Sequence, residues 1–166
     1  MIHTGKQDPT ASLGHAQTVV LDLADGLLEC HRTVVVDNFF TSISLAESLL
    51  QNDTYLIGTL RSNRAGSGHG VVQKKLKRGE VYGLQSNNGI KLIKWKDKRD
   101  VLMISTKPSH SATLVDTGKP DKANERIMKP PVVLDHLRSS QPIPITMDFN
   151  RLQPHLIIFE SSSEGF

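Results

Sequence analysis

Thr33-Val34-Val35-Val36-Asp37-Asn38-Phe39-Phe40-Thr41-Ser42 is the stretch on which the reading of the fold turns. Four β-branched residues in a row favour extended backbone, because branching at Cβ restricts χ1 and suits a pleated surface. The run lacks the polar alternation of a half-exposed strand, so it suits a strand covered on both faces, as in a parallel or mixed sheet. It stops at Asp37, and a helix is expected next. Ser44 and Glu47 have capping-box spacing, Ser42 competes as the cap, and Ile43, Ala46, Leu49 and Leu50 form the buried stripe. A carboxylate just beyond the carboxyl end of a buried strand stands where open α/β sheets collect functional groups. Asp37 is therefore the sharpest candidate for chemistry, with a turn or cap aspartate as the plain alternative.

Outward from this stretch the pattern continues as layers. Leu13, Ala16, Val19, Val20 and Leu23 fall at helical spacing after Ser12, and Asp25-Gly26 offers a left-handed stop. Tyr55 to Leu60 reads as a second short strand. Helix, strand, helix, strand in this order indicates an α/β core. After residue 60 the texture changes. Gly66, Gly68 and Gly70 mark a flexible loop that opens no helix, which excludes a dinucleotide-binding loop. Arg78-Gly79, Asn88-Gly89 and the polar run 97–100 are turn signals. Segments 71–77, 80–85, 90–96 and 101–106 then read as an antiparallel β meander. Residues beyond Lys107 read as loop up to Pro131, before the short apolar piece Val132-Val133-Leu134.

Net charge is only +3, yet twelve Lys or Arg and three acids (Glu80, Asp97, Asp100) lie between Arg61 and Lys107, while the rest of the chain is net acidic. Such asymmetry suits a face for a polyanion. Solvated hairpins with lysines guarding β edges are the alternative. The run Lys74-Lys75-Leu76-Lys77-Arg78 reads equally as a nuclear-import tag, a phosphate contact or a charged strand.

Other function classes find little support. No apolar run approaches the ~18–20 residues of a membrane span, and the first residues lack the apolar core of a signal peptide. The single cysteine, Cys30, makes neither an internal disulfide nor a zinc site. The seven histidines (His3, His15, His31, His69, His110, His136, His155) form no HxxxH or Cys/His cluster, and no GxSxG elbow supports a Ser/His/Asp triad.

The block Val36 to Ser42, followed by Leu45-Ala46 and Leu49, resembles the "TDNFFTS" block of piggyBac transposases. His3-Thr4-Gly5-Lys6 is similar to the "YTGK" segment, with Leu13-Gly14 opening the helix that follows it. Gly58-Thr59-Leu60-Arg61-Ser62-Asn63-Arg64 is similar to "GTxRxNR". Leu76 to Glu80, Lys94 to Arg99 and Ser105-Thr106 resemble the inserted β region of that family. Lys129-Pro130 with Val132-Val133 resembles the approach to its last catalytic helix. These blocks run in collinear order over about residues 2–138.

The resemblance implies an α/β fold: an incomplete RNase H-like core, a mixed sheet with helices, carrying an inserted antiparallel β meander. It divides the chain into a partial core (1–60), a basic inserted β region (61–107), a loop returning toward the core (108–138) and a divergent, poorly ordered tail (139–166). Asp37 then corresponds to the family's second catalytic aspartate. The first aspartate lies upstream of the YTG segment in the family, and no "GVDxxDQ" block follows Asp135-His136, where Leu137-Arg138-Ser139-Ser140 stands instead. Asp135 and Asp148 are candidate substitutes for the missing acids.

From those departures follows the expectation of a chain that is not an enzyme, a relic in which Asp37 is vestigial and binds metal weakly. No cofactor is then expected, although the intact family uses Mg²⁺; surrogate acids or a partner chain are the alternative, and a decayed product without selected function a third. DNA is the expected partner, held weakly and electrostatically in the nucleus, with no membrane. The contacts would be Arg61, Arg64, Lys74, Lys75, Lys77, Arg78, Lys96, Lys98 and Arg99. One edge of the Thr33–Val36 strand would lack its family partner. The chain would then be marginally stable unless a second chain, or its own Leu156-Ile157-Ile158-Phe159, supplied a strand.

Overall fold

The computed structural model describes residues 9–26, 28, 31–139 and 156–159. Helix α1 spans Pro9–Leu23 and is followed by strand β1, Thr33–Val36. Next come α2 (Ile43–Gln51), β2 (Tyr55–Thr59), two short 3₁₀ turns and the five-residue helix α3 (His69–Gln73). Strands β3 (Val81–Gln85), β4 (Lys91–Lys96) and β5 (Asp100–Ser105) follow. A hairpin of β6 (Val115–Pro120) and β7 (Arg126–Lys129) leads to helix α4 (Pro131–Ser139), and β8 is Leu156–Phe159.

Six strands form one mixed sheet in the order β3-β4-β5-β2-β1-β8. β1 and β2 are parallel, with Val34 opposite Leu56 and Val36 opposite Gly58. All other neighbours are antiparallel. The core follows from the period of two along each strand. Val34, Val36, Leu56, Leu92 and Ile104 share one core cluster with Val20 of α1, with Leu45, Ala46 and Leu49 of α2, and with Val71 of α3. Val35, Ile57, Ile93 and Met103 point the other way, into a cluster completed by Trp95 and by Val132 and Val133 of α4. Every residue of β1 is buried, as a strand covered on both faces requires. The result is a mixed α/β fold, and among the described residues no helix is long and apolar enough to cross a membrane.

Several local expectations give way to specific competitors. Helix α1 starts at Pro9, before Ser12; proline is tolerated at a first helical position, where the N–H has no intrahelical partner. Ser42 caps α2, its Oγ accepting from Leu45 N at 3.1 Å, so the helix begins too early for a Ser44 box. The buried stripe of α2 is Leu45, Ala46 and Leu49, with Ile43 and Leu50 only half-buried. Segment 71–77 is no strand. Gly66 to Gly68 tightens into a 3₁₀ turn that leads into α3, so the glycine run is neither a flexible loop nor without a helix after it. Gly68 packs against Leu92, a close approach that a side chain would block. The stretch 108–138 is not loop: it contains the β6–β7 hairpin and α4.

The outer edge of β1 is paired. Thr33 to Val36 run antiparallel to β8, with Thr33 opposite Phe159 and Val36 opposite Leu156. The tail segment singled out for its β propensity is thus the strand at that edge. The rest of the 139–166 assignment, from residue 140 on, lies outside the described residues, as do Cys30, His3 to Lys6, Asp148 and His155.

Candidate active-site loop and basic end of the sheet

Asp37 follows β1 directly and begins a tight loop into α2. Its Oδ1 accepts from Phe39 N at 2.9 Å and from Phe40 N at 3.4 Å, while its carbonyl accepts from the Thr41 amide and hydroxyl. The aspartate therefore shapes its own turn, as an Asx residue does. An ionised carboxylate has about four acceptor positions, and two N–H bonds fall on Oδ1.

The loop is held from outside by Arg64, in the 3₁₀ turn Ser62–Arg64 after β2. Its Nη1 donates to the carbonyls of Phe39 at 2.7 Å, Asn38 at 3.2 Å and Thr41 at 3.2 Å. Arg61 Nη2 lies 3.4 Å from Asn38 Oδ1. Burial, with the neighbouring Arg61 charge, lowers the Arg64 pKa, but a guanidinium stays charged at any working pH. From α4, His136 hydrogen-bonds the Val36 backbone and feels the Asp37 charge; burial nonetheless holds its pKa below the usual histidine range.

The strand register decides which residues share an end of the sheet. β1 and β2 run parallel, Thr59 of β2 opposes Met103 of β5, Asp100 of β5 opposes Lys96 of β4, and Trp95 of β4 opposes Val81 of β3. The end where β1 and β2 finish is therefore the end where β3 starts and where the β4–β5 turn lies. Asp37, Arg61, Lys77, Arg78, Lys96, Lys98 and Arg99 lie along this end. At ~4.8 Å per strand, the β4–β5 turn lies roughly 10–15 Å from β1. Lys74 and Lys75 precede this end and are exposed, with the Lys74 ammonium 5.1 Å from the centre of the Tyr82 ring.

Not all of the basic charge is displayed. Lys94 is buried and donates to the carbonyls of Val72 and Lys74 at 2.8 Å, besides pairing with Asp100 at 3.1 Å. Lys91 is buried and donates to the carbonyls of Lys107 and Pro108. Lys96 pairs with Asp100 at 2.8 Å, and Arg78 is 4.0 Å from Asp97. These buried lysines bind loops to the sheet, and only coordinates reveal it, since their carbonyl partners lie 16 to 22 residues away.

A second polar row ties α4 to β5. Ser105 Oγ is 2.7 Å from His110 Nδ1, and His110 Nε2 is 3.0 Å from Asp135 Oδ2, which also accepts from Lys107 Nζ at 3.1 Å. Lys107 N donates to Ser105 Oγ. The geometry suits a neutral His110 that donates from Nε2 and accepts the serine proton at Nδ1. Serine, histidine and aspartate thus do meet, without any elbow motif. Ser105 and His110 are buried in the interior, however, so the row is structural. Burial drives the His110 pKa down. Burial raises that of Asp135, but its bonds to His110 and Lys107 outweigh this and bring it below the usual carboxylate range. Asp135, one of the two substitute acids, is therefore committed to holding α4. Among the described residues no group of three or more His, Cys, Asp or Glu is placed to hold a metal ion. They fit one carboxylate ligand of a Mg²⁺ site, Asp37, and not a whole site.

Residues 1–150 match the family described as Transposase IS4. The fold is similar to that of a piggyBac transposase in a cryo-EM structure of its synaptic complex with hairpin DNA, with a TM-score of 0.58 at 22% identity. That likeness covers 83% of this chain and 27% of the other, so this chain spans about a quarter of that protein's length. A family match of this extent, to DDE transposases that are enzymes, overturns the expectation that the chain is not an enzyme. That expectation rested on the family's first aspartate lying upstream of the YTG segment and on Leu137-Arg138-Ser139-Ser140 standing where the family has its "GVDxxDQ" block.

Proposed function

The chain belongs to the piggyBac-type DDE transposase family, and on that premise we propose that it forms part of the RNase H-like core of a DNA transposase, with Asp37 as one of the metal-holding carboxylates. The observation that carries this reading is the register of the sheet, which gathers Asp37 and the exposed cations Arg61, Lys77, Arg78, Lys98 and Arg99 at one end. The remaining acids come from residues outside the described ones or from a partner chain. Mg²⁺, when bound, supplies charge stabilisation to the oxygens of an in-line displacement. Mg²⁺ commonly takes one or two carboxylates and completes its shell with water and substrate phosphates, so one aspartate is a reasonable share. Asp37 orients the cation from a loop whose backbone is fixed by Arg64 and by its own Asx turn. The basic end holds the phosphate backbone, and the protein works in the nucleus.

DNA binding tests the second half of this reading. Holding DNA through its phosphates, the basic end should bind duplex with Kd of about 10⁻⁴–10⁻⁶ M at physiological salt. Affinity should fall as salt rises, with a logarithmic slope of about −0.9 per phosphate contact. Replacing Lys74, Lys75, Lys77 and Arg78 together by alanine should weaken binding by tenfold or more at low salt, and should flatten the slope. Fluorescence anisotropy on a labelled duplex measures both. Equal affinity and equal slope in the variant would remove these residues from the interface.

A further inference from the structure

We propose that Arg64 is a positioning residue for Asp37, acting on the loop backbone and not on a DNA phosphate. The inference rests on the reading of Asp37 as a metal-holding acid. Read from sequence, Arg64 is one more cation beside Arg61. In the structure its Nη1 is spent on three main-chain carbonyls, those of Asn38, Phe39 and Thr41. These flank the amides of Phe39 and Phe40 that bond Asp37 Oδ1. The two sets of bonds oppose each other across one short loop. Amides of the loop point at the carboxylate and carbonyls of the loop point at the guanidinium, so the positive charge fixes the peptide orientation that the carboxylate needs.

Three carbonyl oxygens converging on one nitrogen repel one another, and without a cation between them the loop relaxes by turning its peptides. Turning the Phe39 or Phe40 peptide withdraws an N–H from Asp37 Oδ1 and lets the carboxylate swing. Asn38, held by Arg61 at its side chain, would follow. The effect reaches the reacting end of the sheet without any contact between Arg64 and the substrate. A single cationic nitrogen is what the carbonyls require, so lysine with its three N–H donors should serve. A neutral side chain of similar length should not.

The experiment compares the unaltered chain with Arg64→Met, Arg64→Lys and Asp37→Asn by amide hydrogen exchange and by Mn²⁺ line broadening in NMR. Arg64→Met should raise exchange at Phe39, Phe40 and Thr41 by tenfold or more, leaving the amides of Val34–Val36 and Leu56–Gly58 as they were. It should also weaken Mn²⁺ binding beside Asp37 at least fivefold, and Arg64→Lys should restore both. A purely structural arginine would alter protection across the strands alike and would leave the Mn²⁺ affinity of the folded fraction unmoved. Unchanged exchange at 39–41 in Arg64→Met overturns the proposal. So does unchanged Mn²⁺ binding in that variant when Asp37→Asn abolishes it. Were the unaltered chain to show no broadening beside Asp37, the metal-holding reading of Asp37 would fall and this role for Arg64 with it. Faster exchange at 39–41 would then mark Arg64 only as a loop clamp.

Discussion

Gly58→Val should be among the most damaging single substitutions in the chain, costing about 3 kcal/mol or more at a site where overpacking of even ordinary severity costs ~1–3 kcal/mol. A Cβ at Gly58 would stand 2.6 Å from Thr41 Oγ1 and 2.9 Å from the Val36 carbonyl oxygen. The side chain has a little room to turn. The carbonyl has none, because Val36 opposes Gly58 in the parallel ladder and precedes the Asp37 loop. Relief must come from separating β1 and β2, the two strands between the tail strand and the rest of the sheet. Typical domains are stable by about 5–15 kcal/mol, so the loss is a large share of the total. Gly14 in α1 is the control, since nothing lies within 4 Å of its added Cβ. Gly14→Ala should be neutral or stabilising by about 0.4–1 kcal/mol. Urea unfolding of the two variants measures the contrast, and similar midpoints would show the β1–β2 contact to be looser than described.

Acid should weaken the fold well above the range where carboxylates titrate. His110 is held neutral by burial, and its folded pKa lies below the unfolded value of about 6.5. Between those two values the unfolded chain binds a proton that the folded chain does not, so stability rises with pH across the window and falls as the solution is acidified. His136 is shifted the same way and adds to the slope. Asp135 follows at lower pH. Its folded pKa is depressed, so its contribution is present above the unfolded value and is lost as pH falls through the folded one. The urea midpoint should therefore drop between pH 7.5 and 5.5. In His110→Gln, which keeps polar atoms but cannot charge, the drop should be shallower because only His136 remains. A midpoint that is flat or rising on acidification over that interval would contradict the buried, neutral His110.

What could be read from sequence, and what could not, divides along the range of the interactions. The Thr33–Val36 strand and the Tyr55–Thr59 strand announce themselves because β-branched and aromatic residues favour extended backbone locally. So does the Leu156–Phe159 strand, whose placement beside β1 follows from an edge that needs a partner. Ser42 against Ser44 was legible only as a competition, since both are serines and the winner is set by where Thr41 ends the Asp37 loop. Val71 and Val72 point to a strand by propensity, yet they lie in a helix because Gly68 tucks under Leu92 and turns the chain. The hairpin at 115–129 is polar and largely exposed, so no apolar alternation marks it.

At the site, Asp37 was visible because a carboxylate after a buried strand is a local pattern. Arg64, Lys91 and Lys94 were visible only as charge. Their work on carbonyls 16 to 26 residues away depends on tertiary register, which no window of sequence contains. The same holds for His110, which reaches Asp135 across 25 residues. Dispersed histidines do not form a metal motif, and none of that dispersal foretold a buried hydrogen-bonded row.

Whether Asp37 presents a metal-holding carboxylate is measured most directly by Mn²⁺ titration of the ¹⁵N-labelled chain. Binding should be weak, with selective broadening of the Asn38, Phe39 and Phe40 amides that is abolished by Asp37→Asn and reduced by excess Mg²⁺; a metal-holding Asp37 requires this. Broadening centred on other carboxylates, or broadening at 38–40 that survives Asp37→Asn, would contradict it.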